Sequence, residues 1–172
     1  MNILITGGCG FIGSHLTELC LSKGHTVTII DDLSTGQMKN IAHLKTNPYL
    51  KIYPDSIFNI ELLSELIQGN DIIFHLAAAV GVQLIVEKPV ETIETNIFGT
   101  HNVIKLASKF RKRLLIASTS EIYGKNSKTP FSEDSDRLLG PTTVARWSYS
   151  SSKAIDEFMG LAYHKEFDLD VI

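Results

Sequence analysis

Short apolar runs alternate along this chain with longer stretches whose apolar residues recur at helical spacing. Residues 2–6 (Asn-Ile-Leu-Ile-Thr) and 26–31 (Thr-Val-Thr-Ile-Ile-Asp) predict two buried strands, and 50–53, 71–75 and 114–118 continue the series. Between them Ile12, Leu16, Leu19 and Cys20, then Ile60, Leu63 and Ile67, predict amphipathic helices. The longest helix is expected from Pro89, a favoured first-turn residue, through Val90, Ile93, Ile97, Ile104 and Leu106 towards Arg111. Another is expected over 149–167, and the apolar positions of these two helices should be mostly core. Strands that are apolar almost throughout, alternating with helices, imply a parallel sheet covered on both faces. Right-handed crossovers make that a Rossmann-type, doubly wound α/β fold.

The chain of 172 residues has room for one domain of ordinary size, and 44% hydrophobic with 20% charged residues can bury a core. A net charge of −3 disfavours a nucleic-acid or anionic-membrane surface, and no apolar run approaches a membrane span. Two cysteines, Cys9 and Cys20, are too few for a secreted disulfide framework, and residues 1–6 lack the basic start of a signal peptide. A soluble, cytoplasmic protein is therefore expected. The six histidines show no metal-ligand spacing, so no metal is expected. Cys9, in a glycine-rich turn before a helix, could have a lowered pKa, although a structural role is the simpler reading. Residues 124–147 form a long irregular stretch with Pro130 and Pro141; a loop of that length after the fifth strand favours a functional segment. Residues 168–172 look like a sixth strand breaking off as it begins, so residues 1–172 are expected to be the N-terminal, cofactor-binding part of a longer chain.

Two motifs carry chemistry. Gly7, Gly10 and Gly13, spaced G-x-x-G-x-x-G, fall between the first strand and the first helix. Glycines there allow a tight turn and a close approach of backbone to a pyrophosphate, which faces the N–H groups and positive end of the helix. The second strand ends in Asp31-Asp32, where Asp31 can accept from adenosine ribose hydroxyls and repel a 2′-phosphate, so NAD is expected over NADP. Asp32 reads as a turn residue. Tyr149 and Lys153 are four apart on a predicted helix and share a face. A lysine there would lower the phenol's pKa, helped by a nicotinamide cation, and so make a general acid/base for oxidising an alcohol.

With those motifs, the chain resembles the extended short-chain dehydrogenase/reductase family, in its nucleotide-sugar epimerase, dehydratase and decarboxylase branch. The resemblance covers essentially all of it and includes Asp55, the His75-Leu76-Ala77-Ala78 run, Asn96 with Gly99 and Thr100, and 119–124 (Thr-Ser-Glu-Ile-Tyr-Gly). It implies that Gly7, Gly10, Phe11, Ile12 and Gly13 hold the cofactor phosphates, Asp55 and Ser56 flank adenine, and Leu76, Ala77 and Ala78 line the cofactor, with His75 packed beside it. Asn96 would support that pocket, and Thr119 would hydrogen-bond the sugar 4-hydroxyl. A homodimer is implied, with a four-helix interface built from the helices over 89–111 and 149–167.

The family's shared first step is oxidation at C4 to a 4-keto sugar. An epimerase then returns hydride to the other face, a decarboxylase loses CO₂ and a dehydratase eliminates water. The 4,6-dehydratases pair Asp and Glu after the Thr; here Ser120 stands in the Asp position while Glu121 remains. Thr119-Ser120-Glu121 with Arg146-Trp147-Ser148-Tyr149 looks more like UDP-glucuronate decarboxylases and related uronate 4-epimerases. The expectation is UDP-sugar 4-epimerisation first, UDP-glucuronate decarboxylation second and dehydration third. From another class stands a catalytically idle NAD-binding regulator, against which the intact Thr119, Tyr149 and Lys153 argue. Glu121 as a mere turn residue and Trp147 as packing under the loop are the bland alternatives.

Overall fold

The computed structural model describes residues 1–172, the side chain of Val82 left aside. Five parallel strands form one sheet in the order β3-β2-β1-β4-β5: β1 (Asn2–Thr6), β2 (Thr26–Ile30), β3 (Leu50–Tyr53), β4 (Ile72–His75) and β5 (Arg113–Ile116). Ile5 pairs with Ile29 on one side and with Phe74 on the other, so the central strand meets apolar residues on both flanks. Residues 170–172 add to the outer edge of β5: the Leu114 N–H donates to the Asp170 carbonyl and Ile172 to that of Leu114. Six helices cover the faces: α1 (Phe11–Ser22), α2 (Ile60–Gln68), α3 (Val82–Glu87), α4 (Pro89–Glu94), α5 (Thr100–Lys109) and α6 (Arg146–Phe167). Among the described residues no helix is long and apolar enough to cross a membrane.

The core lies in two layers. Leu4, Ile30 and Ile73 meet Leu63, Ile67, Ile104 and Leu114 on one side, while Ile3, Ile5, Ile29, Cys9 and Ile41 close the other. Full burial of one such side chain stabilises by about 1.5–3 kcal/mol. In α2, Asn59 caps the first turn by accepting from the Leu62 N–H, and Leu63, Leu66 and Ile67 point inward. Ile60, expected on that face, is largely exposed.

The helix flanking the glycine turn corrects the sequence reading more sharply. α1 buries Gly13, Ser14, Thr17 and Cys20, whereas Ile12 is 67% and Leu19 51% exposed. At Gly13 the helix meets the phosphate turn so closely that a Cβ would strike the Gly7 carbonyl oxygen, and Ser14, Thr17 and Cys20 share that inward side. The expected single helix over 89–111 is interrupted at Thr95–Gly99 by one π turn between α4 and α5. The longest helix is instead α6, of 22 residues. Of the two helical stretches, the first keeps the expected apolar core in α5, where Ile104 and Leu106 are buried, but its α4 and π-turn part and much of α6 are inverted. Thr92, Asn96, Gly99 and Thr100 face inward from the first, and Ser150, Ser152, Lys153 and Asp156 from α6. Val90, Ile93, Phe98, Ile155, Phe158 and Leu161 face outward.

Candidate active site

A cleft of about 800 Å³ opens along the carboxyl ends of the strands. Its walls include Gly7, Gly10, Phe11, Ile12 and Gly13 from the first turn, Asp31 after β2, Asp55 and Ser56 after β3, Leu76, Ala77 and Ala78 after β4, and Tyr149 and Lys153 of α6. Most of the residues singled out from the sequence thus come together along one groove.

At Gly7 and Gly13 the turn leaves room for nothing but hydrogen. Gly7 has φ +72°, and a Cβ there would lie 2.8 Å from the Ala77 nitrogen. A Cβ on Gly13 would collide with the Gly7 carbonyl oxygen. Gly10 caps α1 without a side chain, leaving first-turn N–H groups of Phe11, Ile12 and Gly13 facing the cleft. Asp31 is almost fully buried: Oδ2 accepts from the Cys9 N–H at 2.8 Å and Oδ1 from the Leu33 N–H at 2.9 Å. This carboxylate therefore ties the phosphate turn to the end of β2, with lone pairs left for a ligand hydroxyl. Asp32 accepts from the Ser34 N–H and serves the turn. Asp55 accepts from Ser56 N–H and the Asn59 side-chain amide. Cys9 is fully buried, and its thiol is pushed up to about 11 by burial and then by Asp31, not lowered by the helix.

Asn96 supports the cleft without lining it. It lies behind the cleft, in the π turn, where Oδ1 accepts from the Ala79 N–H at 2.8 Å and Nδ2 donates to the Ala79 carbonyl and to Ser152 Oγ. The π turn aims this amide so that it clamps the Ala77–Ala79 wall to α6. His75 is also behind the wall. Its Nδ1 lies 2.8 Å from Thr6 Oγ1 and its Nε2 2.9 Å from Thr100 Oγ1. The Thr6 hydroxyl already accepts from the N–H groups of Leu76 and Ala77, so its own hydrogen goes to Nδ1. The neutral ring then carries its proton on Nε2 and donates to Thr100. Burial, and next the nearby Lys153 charge, push His75 down to about 3.

At the far end, Thr119 closes β5 and caps a short 3-10 turn by accepting from the Glu121 N–H. Neither Thr119 nor Glu121 lines the main cleft, but both face Tyr149. Burial, then the charges of Glu121 and Asp156, push the Tyr149 phenol up, while the Thr119 hydroxyl opposes this. The phenol thus moves up where the sequence led to a lowered one, and Lys153 is paired with another group: its Nζ lies 2.8 Å from Asp156 Oδ2, and both side chains are buried. Trp147 packs against Gly140, with the Lys125 ammonium 5.6 Å from its ring centre. The segment before it is tied down where Gly124 bridges Leu138 and Arg137 covers the Phe158 ring.

The sequence reading missed several lining residues: Ser34, Thr35 and Gly36 after β2, and Lys88, Glu91 and Thr95 beside α4. Only the first group carried a signal, the turn composition directly after Asp31. Asp156 was missed entirely; its offset of three from Lys153 was the available clue.

A family model described as GDP-mannose 4,6 dehydratase matches residues 4–172. The UDP-N-acetyl-alpha-D-glucosaminuronate decarboxylase of Bacillus cytotoxicus is 48% identical over 160 residues, 93% of this chain and 49% of that protein. The structure of DesIV, a dTDP-glucose 4,6-dehydratase from Streptomyces venezuelae with NAD bound, matches with TM-score 0.90 at 30% identity, covering 99% of this chain and 54% of that one. UDP-N-acetylglucosamine 4-epimerase from Methanobrevibacter ruminantium M1 matches with TM-score 0.89 at 29% identity, over 99% of this chain and 52% of that one. The chain spans about half the length of these relatives. A match along nearly the whole chain, in fold and in sequence together, makes it a member of the GDP-mannose 4,6 dehydratase family of nucleotide-sugar epimerases, dehydratases and decarboxylases.

Proposed function

We propose that the chain carries the NAD-binding and proton-transfer part of a nucleotide-sugar enzyme that oxidises a sugar at C4, and that it acts in decarboxylating a UDP-linked uronate. NAD suits the cleft on three counts. A Cβ would fill the glycine cradle, the first turn of α1 offers N–H groups, and Asp31 stands where ribose hydroxyls would meet a carboxylate. When bound, the nicotinamide supplies a hydride acceptor at C4 and later a donor. Tyr149 takes the proton of the C4 hydroxyl, and Thr119, facing the same phenol, orients that hydroxyl. The resulting C4 ketone is β to the uronate carboxyl, so CO₂ can leave with its electrons stabilised on the ketone oxygen beside Tyr149.

The observation that carries this reading is Glu121, an acid whose charge reaches Tyr149 from the Thr119-Ser120-Glu121 turn where the 4,6-dehydratases pair Asp with Glu. The 48% identical uronate decarboxylase supports placing decarboxylation ahead of epimerisation, reversing the order expected from the sequence. UDP-sugar 4-epimerisation is the second reading, supported by the fold shared with a 4-epimerase. A homodimer through the outward apolar residues of α4 and α6 belongs to the same reading. The full-length protein with NAD⁺ should be given UDP-glucuronate, its N-acetylglucosamine counterpart and neutral UDP-hexoses, with products identified by mass and NMR. Loss of CO₂ from a uronate is expected. Inversion at C4 with the carboxyl retained would select the epimerase, and no conversion of any sugar would overturn both.

A further inference from the structure

Ser118 stands where β5 runs out into the cleft. The Ala117 N–H still donates to the His75 carbonyl at 3.2 Å, and Thr119 has φ −153° and ψ 148°, so the backbone stays extended beyond the strand. Side chains on an extended chain point alternately to opposite sides. Ser118 is accordingly exposed in the cleft wall, which it shares with Tyr149 and Lys153, whereas Thr119 lies off that wall. The Ser118 hydroxyl is not free to turn. It donates to the carboxylate of Glu157, which reaches it from α6 across 39 residues of sequence. Glu157 is half-buried and belongs to no ion pair among the described residues, so this hydroxyl is the partner of its charge. A hydroxyl has one hydrogen and two lone pairs. With the hydrogen committed to Glu157, Ser118 offers the cleft acceptor capacity alone, strengthened because hydrogen bonds to a charged group polarise the oxygen.

We propose that Ser118 accepts from the carboxamide N–H of the nicotinamide and so orients that ring, with Glu157 as the positioning residue that keeps the serine an acceptor. The inference rests on reading the cleft as the seat of NAD, and not on the sugar chemistry. Sheet order decides which end of the cofactor Ser118 meets. Asp31, Asp55 and Ser56 follow β2 and β3 on one side of β1, and Ser118 follows β5 on the other. A dinucleotide with its adenosine at the first group and its phosphates over the turn after β1 brings its nicotinamide towards β4 and β5. At that end the cofactor carries ribose hydroxyls and one carboxamide. Hydroxyls both donate and accept, so either kind of group serves them; the carboxamide nitrogen only donates and needs an acceptor. Thr119, on the opposite side of the extended backbone, is left for the sugar.

Calorimetry on the full-length protein tests this without sugar or turnover, using NAD⁺ and its 3-acetylpyridine analogue. In the analogue a methyl replaces the carboxamide NH₂, while the carbonyl and both riboses are kept. Ser118→Ala should weaken NAD⁺ binding about three- to tenfold, the usual scale for one hydrogen bond, and that of the analogue less than about twofold. Glu157→Ala frees the Ser118 hydrogen to turn towards the carboxamide, so it should also weaken NAD⁺ and spare the analogue. Glu157→Gln keeps a carbonyl acceptor for the serine and should bring NAD⁺ affinity back to within about twofold of the wild type. Equal losses for both ligands in Ser118→Ala, or no loss for NAD⁺, would overturn the proposal. A loss in Glu157→Gln as large as in Glu157→Ala would overturn the positioning role of Glu157. Were the wild type to bind neither ligand, the cofactor reading would fall and this proposal with it. Failure of the UDP-sugar assay leaves the binding result standing, and a serine indifferent to the carboxamide leaves the sugar chemistry untouched.

Discussion

His75 makes acid stability the most direct probe of the interior. The imidazole is held neutral between two threonine hydroxyls, Thr6 at 2.8 Å and Thr100 at 2.9 Å, with burial and Lys153 lowering it from 6.5 to about 3. In the unfolded chain the same group binds a proton once the pH falls below about 6.5, whereas the folded chain refuses it down to about 3. The unfolded state then binds more protons, so stability is lost as pH falls through that window and is fully present above it. At pH 5 the gap to the unfolded midpoint is about 1.5 pH units, which costs the fold about 2 kcal/mol. Urea denaturation of the wild type at pH 7.5 and pH 5.0 would measure the loss, alongside His75→Gln. A glutamine amide can donate to Thr100 and accept from Thr6, so it keeps both contacts but does not titrate. The variant's loss between the two pH values should be smaller than that of the wild type by about 2 kcal/mol, every other group cancelling in the comparison. Equal losses in the two proteins would show that His75 is not the buried neutral group its contacts describe.

Three further outcomes follow from the same geometry. Cys9, fully buried with its thiol at about 11, should react with an aromatic disulfide reagent at pH 7.5 about a hundredfold more slowly than an exposed cysteine; rapid labelling in native buffer would contradict that burial. Asp31→Ala removes the acceptor for the Cys9 and Leu33 N–H groups, so it should cost about 1–3 kcal/mol by denaturant titration. Calorimetry on the same variant should show an NAD⁺ preference over NADP⁺ reduced from about tenfold or more in the wild type, and equal affinities in the wild type would refute the role of the carboxylate. Gly13→Ala drives a methyl into the Gly7 carbonyl, so it should lower Tm by several degrees and weaken NAD⁺ binding by about tenfold or more; unchanged binding would show that the turn is not the phosphate cradle.

The amino-acid sequence by itself determined the sheet and the groove along it. Runs such as Ile3-Leu4-Ile5 and Val27, Ile29 and Ile30 are apolar on both faces, which only a covered parallel strand needs, and strand–helix alternation then leaves few topologies. The glycine turn was equally legible, because Gly7 and Gly13 answer to local backbone geometry. What only the tertiary structure decided is which side of each helix faces in. Hydropathy alone points Ile12 and Leu19 at the core, yet the phosphate turn meets α1 at Gly13 so closely that only glycine fits, and with it Thr17 and Cys20 turn inward while Ile12 and Leu19 face out. The same inversion places Ser152, Lys153 and Asp156 inside α6, and puts Asn96 in a π turn that no periodicity announces. The partner of Lys153 was out of reach for a related reason. Tyr149 and Asp156 both lie within helical reach of Lys153, and the choice between them rests on which side is dry. A charge buried away from water pairs with the nearest buried countercharge, and burial is a property of the packed fold, not of any segment read alone.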